Sequence, residues 1–181
     1  MTVNADITGL FITGCVFAGL LALIHIYIFL LESILWRKRA AKAFRLPQST
    51  VDISAGLAAN QGVYNLILAV GLIWGLIQLN ADIILFFLAA IFNAGIFGAI
   101  TASPRILLVQ VIPSFIGFIF VSFGYFSKGD WSYWKHPLYL LIILMGAGVI
   151  TATLGLIIKK HILDKIPNTS ASSLPAAGDN L

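Results

Sequence analysis

Five apolar runs, at about Ile7 to Leu31, Gly56 to Leu79, Ile83 to Ile100, Ile106 to Phe126 and Pro137 to Ile158, divide the chain and leave only short segments between them. A helix needs about 20 apolar residues to cross roughly 30 Å of hydrocarbon, and each run comes close to that length. In lipid the backbone must satisfy its own hydrogen bonds, so runs of this kind fold as helices. The expected fold is all-α: a polytopic transmembrane bundle with a four-helix core and a fifth, C-terminal transmembrane helix. Composition agrees, since 10% of the 181 residues are charged where a soluble domain carries about 25%. Residues 1–127 are read as the core, 128–166 as an external loop plus the fifth helix, and 167–181 as a disordered polar tail. The first charge is Asp6, with no basic leader before the first run, so that run reads as a span rather than a cleaved signal.

Lysine and arginine set the expected direction. Arg37, Lys38, Arg39, Lys42 and Arg45 follow the first run, Arg105 precedes the fourth, and Lys159, Lys160 and Lys165 follow the fifth; only Lys128 and Lys135 fall on the other side. Basic loops are retained in the cytoplasm, which predicts an external N-terminus and a cytoplasmic C-terminus in the cell's inner (plasma) membrane. Trp36, Trp131, Tyr133 and Trp134 are expected as anchors in the headgroup layer. The basic charge is explained by topology, so nucleic acid is not an expected partner; membrane lipids are, and a homo-oligomer is compatible with the sequence. The loop "WRKRAAKAFR" also fits a short amphipathic helix on the inner leaflet.

Polar residues inside the runs are the candidate functional positions. In "ALIHIYIFLLES" His25 and Glu32 are seven residues apart, a rotation of about 20° on a regular helix, so they share one face while Tyr27 points away. The second run carries Asn60, Gln61, Tyr64 and Asn65, the third Asn93, and the fourth Gln110. Counting residues from the basic boundary gives two strata, Glu32/Asn60/Gln61/Gln110 and, farther in, His25/Asn65/Asn93. Such groups are costly in hydrocarbon, and an intramembrane carboxylate must be protonated, paired or hydrated. They should face one shared polar cavity; the plain alternative is that the amides are interhelical glue and Glu32 snorkels to the basic loop. Gly71/Gly75 and Ala94/Gly98 are expected to allow close helix approach, and Pro113 to bend the fourth helix beside Gln110.

No cofactor or metal is expected. His25, His136 and His161 are separated by topology, Cys15 stands alone, no nucleophile elbow surrounds Ser33, and "GLIWG" lacks the lysine of a phosphate loop. The functional expectation is binding or transport of a small solute through the His/Glu/Asn/Gln cluster. An embedded enzyme acting on a lipid or quinone-like molecule, and a structural scaffold, are the alternatives. The outer halves of the helices are nearly uniformly apolar, which disfavours a continuous channel.

"LIHIYIFLLESILW", "LAANQGVYNLILAVGLIWG", "AGIFGAIT" and "QVIPS" resemble the successive signatures of the small membrane family catalogued as domain of unknown function 1304, over about Leu10 to Phe120. The resemblance implies about four transmembrane helices, places His25, Glu32, Asn60, Gln61, Tyr64, Asn65 and Gln110 in the family pattern, and assigns no catalytic role. The fifth run is an addition to that pattern.

Overall fold

The computed structural model describes residues 9–126 and 135–161. All regular structure among them is helical. Helix α1 (Gly9–Phe29) runs into a π-helical turn at Leu30–Ile34, followed by the short α2 (Trp36–Phe44), α3 (Gln48–Ile77) and α4 (Ala81–Thr101). A second π-turn at Leu107–Val111 leads into α5 (Ile112–Phe126), and α6 spans Lys135–His161. Five helical stretches are long and apolar enough to cross a membrane: Gly9–Ile34, Gln48–Ile77, Ala81–Thr101, Leu107–Tyr125 and Leu138–His161. Lys128, the aromatic anchors Trp131, Tyr133 and Trp134, Lys165 and the tail lie outside the described residues.

Helix α1 packs on α3 and α5, and α4 packs on the other flanks of the same two helices, closing a four-helix ring. Helix α6 lies outside the ring, mainly along α4. The four helices meet over Leu21, Leu72, Ile84, Leu88, Ile91 and Val121, all fully buried. The exterior carries exposed Leu, Ile, Val and aromatic side chains on every span, as lipid contact requires. One half of the bundle is drawn tight by glycines: a Cβ on Gly14 would lie 2.6 Å from the Val121 amide nitrogen, and one on Gly124 2.7 Å from Phe11 Cα. Gly71 and Gly75 likewise admit Phe87 and Ile84 of α4.

Three features refine the expectation. Helix α3 begins at Gln48, eight residues before the apolar run. At about 1.5 Å per residue its 30 residues reach about 45 Å, well past the roughly 30 Å hydrocarbon layer, so its polar first turns project beyond it. Hydropathy marks the lipid boundary, not the end of the helix. The basic loop is ordered as α2 against that projection: the Trp36 indole Nε1 donates to the Val51 carbonyl at 3.0 Å and to Ser54 Oγ at 3.2 Å, with Ala40 and Val51 fully buried. Arg45, in left-handed conformation (φ 55°), then turns the chain into Pro47 and α3. Lastly, the short connection between the second and third apolar runs, residues 80–82, forms the start of α4, since Asn80 Oδ1 caps the helix by accepting from the Asp82 and Ile83 amides at 3.0 and 3.2 Å.

Candidate functional site

A cavity of about 690 Å³ opens between the four helices in the half of the bundle that carries the basic residues. His25, Glu32, Gln61, Asn65, Asn93 and Gln110 all line it. Farthest from the basic end its walls are His25, Leu68 and Asn93. Beyond them Ala18, Leu21, Leu72 and Leu88 are completely buried, so the interior of the four-helix ring is closed on that side, while outside it a separate pocket of about 350 Å³ runs from Asn93 to Asp82 between α4 and α6. Phe44 of α2 and Thr101, Ala102 and Ile106 of the α4–α5 connection line its other end.

Both π-turns lie on this cavity, and each presents one polar candidate to it: Glu32 from Leu30–Ile34 and Gln110 from Leu107–Val111. A π-turn accommodates one extra residue and re-aims the side chains that follow, and such turns recur at functional sites. The first is recorded by the Leu35 amide bonding to the Leu30 carbonyl at 2.9 Å, five residues back. The second abuts Pro113, which lacks an N–H and disfavours a regular carbonyl position four residues earlier. Each turn sits against a glycine of the neighbouring helix. A Cβ on Gly62 would collide with Ser33 Oγ and stand 3.3 Å from Glu32 Cβ; one on Gly95 would stand 2.8 Å from Val111 Cγ2 and 3.2 Å from Gln110 Cβ. Ala94 and Gly98 line the cavity; Gly98 also allows the expected close approach, a Cβ there standing 3.1 Å from Ile106 Cδ1, and Gly95 makes the close approach to the second turn.

The hydrogen bonds regroup the two strata. Asn65 Nδ2 donates to Glu32 Oε2 at 2.9 Å and to its own helix at the Gln61 carbonyl, 3.2 Å. Residue counting sets Asn65 a layer away from Glu32. Side chains lean toward the N-terminus of their own helix, however, and α1 and α3 run in opposite directions, so the two lean toward each other. Asn93 pairs outside the ring: its Oδ1 accepts from Thr151 Oγ1 of α6 at 3.1 Å, while its Nδ2 donates to the Ala89 carbonyl at 2.9 Å. Thr151, a cavity-lining residue, was not among the sequence candidates; its only signal is a hydroxyl in the middle of an apolar run, and threonine there commonly bonds its own backbone.

His25 is buried at 1% exposure. Its Nδ1 lies 2.8 Å from the Leu21 carbonyl. A carbonyl only accepts, so Nδ1 carries the proton and, in the neutral ring, Nε2 holds the lone pair. Glu32 is half-buried and receives one side-chain donor, Asn65, against roughly four acceptor positions on a carboxylate. Asn60 and Tyr64 do not line the central cavity. They line a lateral groove of about 470 Å³ between α3 and the first π-turn, with Glu32 and Gln61 common to both spaces. Glu32 therefore stands in the partition between groove and cavity. Among the described residues no three His, Cys, Asp or Glu side chains converge as a metal site would need.

The fold and this cluster define a class: a multi-pass helical membrane protein with a one-sided polar cavity built on helix irregularities. The chain belongs to the family described as protein of unknown function (DUF1304), whose model matches residues 19–122. The match takes in all eight candidate residues and both π-turns and stops short of α6 and Thr151. Neither a curated protein nor a solved structure matches the chain.

Proposed function

We propose that the protein binds a small polar or amphipathic molecule in the central cavity, with Glu32 as its principal anchor. The observation that carries this reading is the Glu32 carboxylate, held by a single side-chain donor, Asn65 Nδ2, on the wall of a polar cavity that it shares with His25, Gln61 and Asn65. A carboxylate with a single amide donor in a low-dielectric site is left short of partners, and a ligand hydroxyl or ammonium group supplies the missing donor. The mixed wall, with Leu31, Leu68 and Phe97 beside the amides, suits a molecule with both apolar and polar parts. By the positive-inside rule the basic end faces the cytoplasm, so entry is from the cytoplasmic half of the membrane, and the buried apolar layer of Ala18, Leu21, Leu72 and Leu88 argues against an open channel through the ring.

The test is mass spectrometry of compounds that co-purify with the wild-type protein and with Glu32→Gln and Glu32→Leu variants in mild detergent. E32Q keeps the Asn65 contact and removes the carboxylate. The expected result is a compound depleted about tenfold or more on E32Q, the loss that goes with one charge-assisted hydrogen bond, in protein that remains monodisperse. Identical extracts from wild type and E32Q would overturn the reading. If E32Q is indistinguishable and only E32L destabilises the bundle, Glu32 is interhelical glue.

A second reading has its own observation. A basic imidazole nitrogen and a carboxylate on one cavity, His25 Nε2 and Glu32, are the pair that general acid–base chemistry on a lipid-like substrate uses. His25→Gln then retains the bound compound while turnover of a supplied lipid pool stops; retained turnover removes His25 from the chemistry.

A further inference from the structure

Beside the mouth of the central cavity lies a second pocket of about 370 Å³, lined by Trp36, Phe44 and Arg45 of the α2 region and by Ala102, Ser103 and Arg105 of the α4–α5 connection. Phe44 and Ala102 line both spaces, so the two adjoin each other across these residues. Resting on the cavity reading above, we propose that this rim pocket is an anion-binding subsite for a phosphate-type head group, and that the central cavity takes the remainder of the same amphiphile.

Two arginines sixty residues apart in the chain line one small pocket that no carboxylate lines. Both are exposed, so their long side chains can turn onto an anion seated there. Guanidinium forks match phosphate oxygens in bidentate geometry, and the Ser103 hydroxyl adds a neutral donor. Arg45 is held there by a left-handed backbone (φ 55°), a conformation that glycine or asparagine adopts more cheaply. Trp36 and Phe44 form the apolar wall, their ring centroids 5.4 Å apart, a surface for the first carbons behind a head group. The pocket sits at the basic end of the bundle, level with the polar connections between helices. A phosphate there stays in the interfacial layer while its attached group extends toward Glu32.

The same chemistry is offered by a phospholipid head group and by a soluble phosphate ester, and the experiment separates them. Delipidated protein is titrated with phosphatidic acid, with phosphatidylcholine and with glycerol 3-phosphate, and occupancy is read by native mass spectrometry. Variants are Arg45→Asn, which removes the charge but keeps a residue that tolerates the left-handed backbone, and Arg105→Gln. Arg37→Gln and Arg39→Gln are controls of equal charge change on α2 outside the pocket. The expected result is about tenfold weaker binding of the preferred phosphate ligand in R45N and R105Q, and less than twofold change in the controls. Preference for phosphatidic acid assigns a lipid source, and preference for glycerol 3-phosphate a soluble one; either supports the subsite. Equal weakening in all four variants means diffuse attraction to a basic surface and overturns the proposal, as does binding that none of the variants alters. E32Q in the same titration keeps the two readings apart. Arginine-dependent binding unaffected by E32Q retains the rim subsite and removes the cavity anchor, whereas E32Q-sensitive, arginine-independent binding does the reverse.

Discussion

Replacing Gly62 by alanine should disturb the first π-turn chiefly through Ser33, with Glu32 Cβ a second close neighbour at 3.3 Å. The added Cβ runs into Ser33 Oγ and crowds the Ser33 amide nitrogen at 3.2 Å. Ser33 Oγ at present donates to the Ala59 carbonyl at 3.1 Å, so the hydroxyl must rotate away and that bond is lost, at about 1 kcal/mol. The backbone crowding adds about 1–3 kcal/mol, the usual range for inserting a methyl group where none fits. Gly62→Ala should therefore destabilise by about 2–4 kcal/mol in total. Ser33→Ala alone should cost only about 1 kcal/mol, because the Ala59 carbonyl keeps its helical position and loses just a second donor. The double variant loses the hydroxyl once rather than twice, so it should be less destabilised than the sum of the singles by about 1 kcal/mol, a coupling within the range for residues in contact. Equilibrium unfolding by SDS in mixed micelles measures all three. Strictly additive effects, or a Gly62→Ala variant as stable as wild type, would refute the claim that this glycine exists to seat the π-turn.

Other consequences follow from single contacts. Thr151→Val removes the donor to Asn93 Oδ1 and should cost about 1 kcal/mol by the same SDS titration. Trp36→Phe loses both indole hydrogen bonds to α3, so amide exchange across Trp36–Phe44 should accelerate about fivefold, in line with roughly 1 kcal/mol, while α3 to α5 are unchanged; uniform acceleration would mean that Trp36 supports the whole bundle. Gly124→Ala pushes a Cβ onto the α1 backbone at Phe11 and should cost several kcal/mol, whereas Gly146→Ala, with nothing within 4 Å of the new atom, should be neutral or stabilising by up to about 1 kcal/mol. Comparable thermal shifts in the two would show that the α1–α5 approach is not the tight contact described.

The spans were legible in the sequence because hydrocarbon thickness acts on every residue of a run together, so five apolar stretches report five helices whatever their packing. Helix ends were less so: the Gln48 start of α3 lies outside the lipid boundary that hydropathy detects, and only Pro47 hints at it. The grouping of His25, Glu32, Gln61, Asn65, Asn93 and Gln110 near one another follows from depth counted along antiparallel helices. Their actual partners do not, because depth is assigned to Cα positions whereas contact depends on which way each side chain leans. That lean joins Asn65 to Glu32 across the assumed layers and turns Asn93 toward Thr151. Asn60 and Tyr64 share a helical face four residues apart, but nothing in the spacing says that this face looks into the lateral groove rather than the central cavity.

The π-turns are the least legible feature and bear most directly on the site. The seven-residue spacing of His25 and Glu32 puts both on one face only if the helix between them is regular, and it is not: the turn at Leu30–Ile34 begins five residues after His25. Both side chains nevertheless line the cavity, because a π-turn shifts the register gradually and Glu32 lies in its middle rather than past its end. The displaced phase falls on Ser33 and the residues after it, which turn toward α3. Ser33 reaches the Ala59 carbonyl, and Trp36 then meets Val51. The widened turn thus lets one helix end serve two neighbours, keeping Glu32 on the cavity while its successors fasten α2 to the projecting start of α3. Since α2 carries Phe44 at the cavity mouth and leads into Arg45 at the rim, straightening the turn should loosen the mouth as well as move the carboxylate, coupling changes at Gly62 to binding at both ends of the cavity.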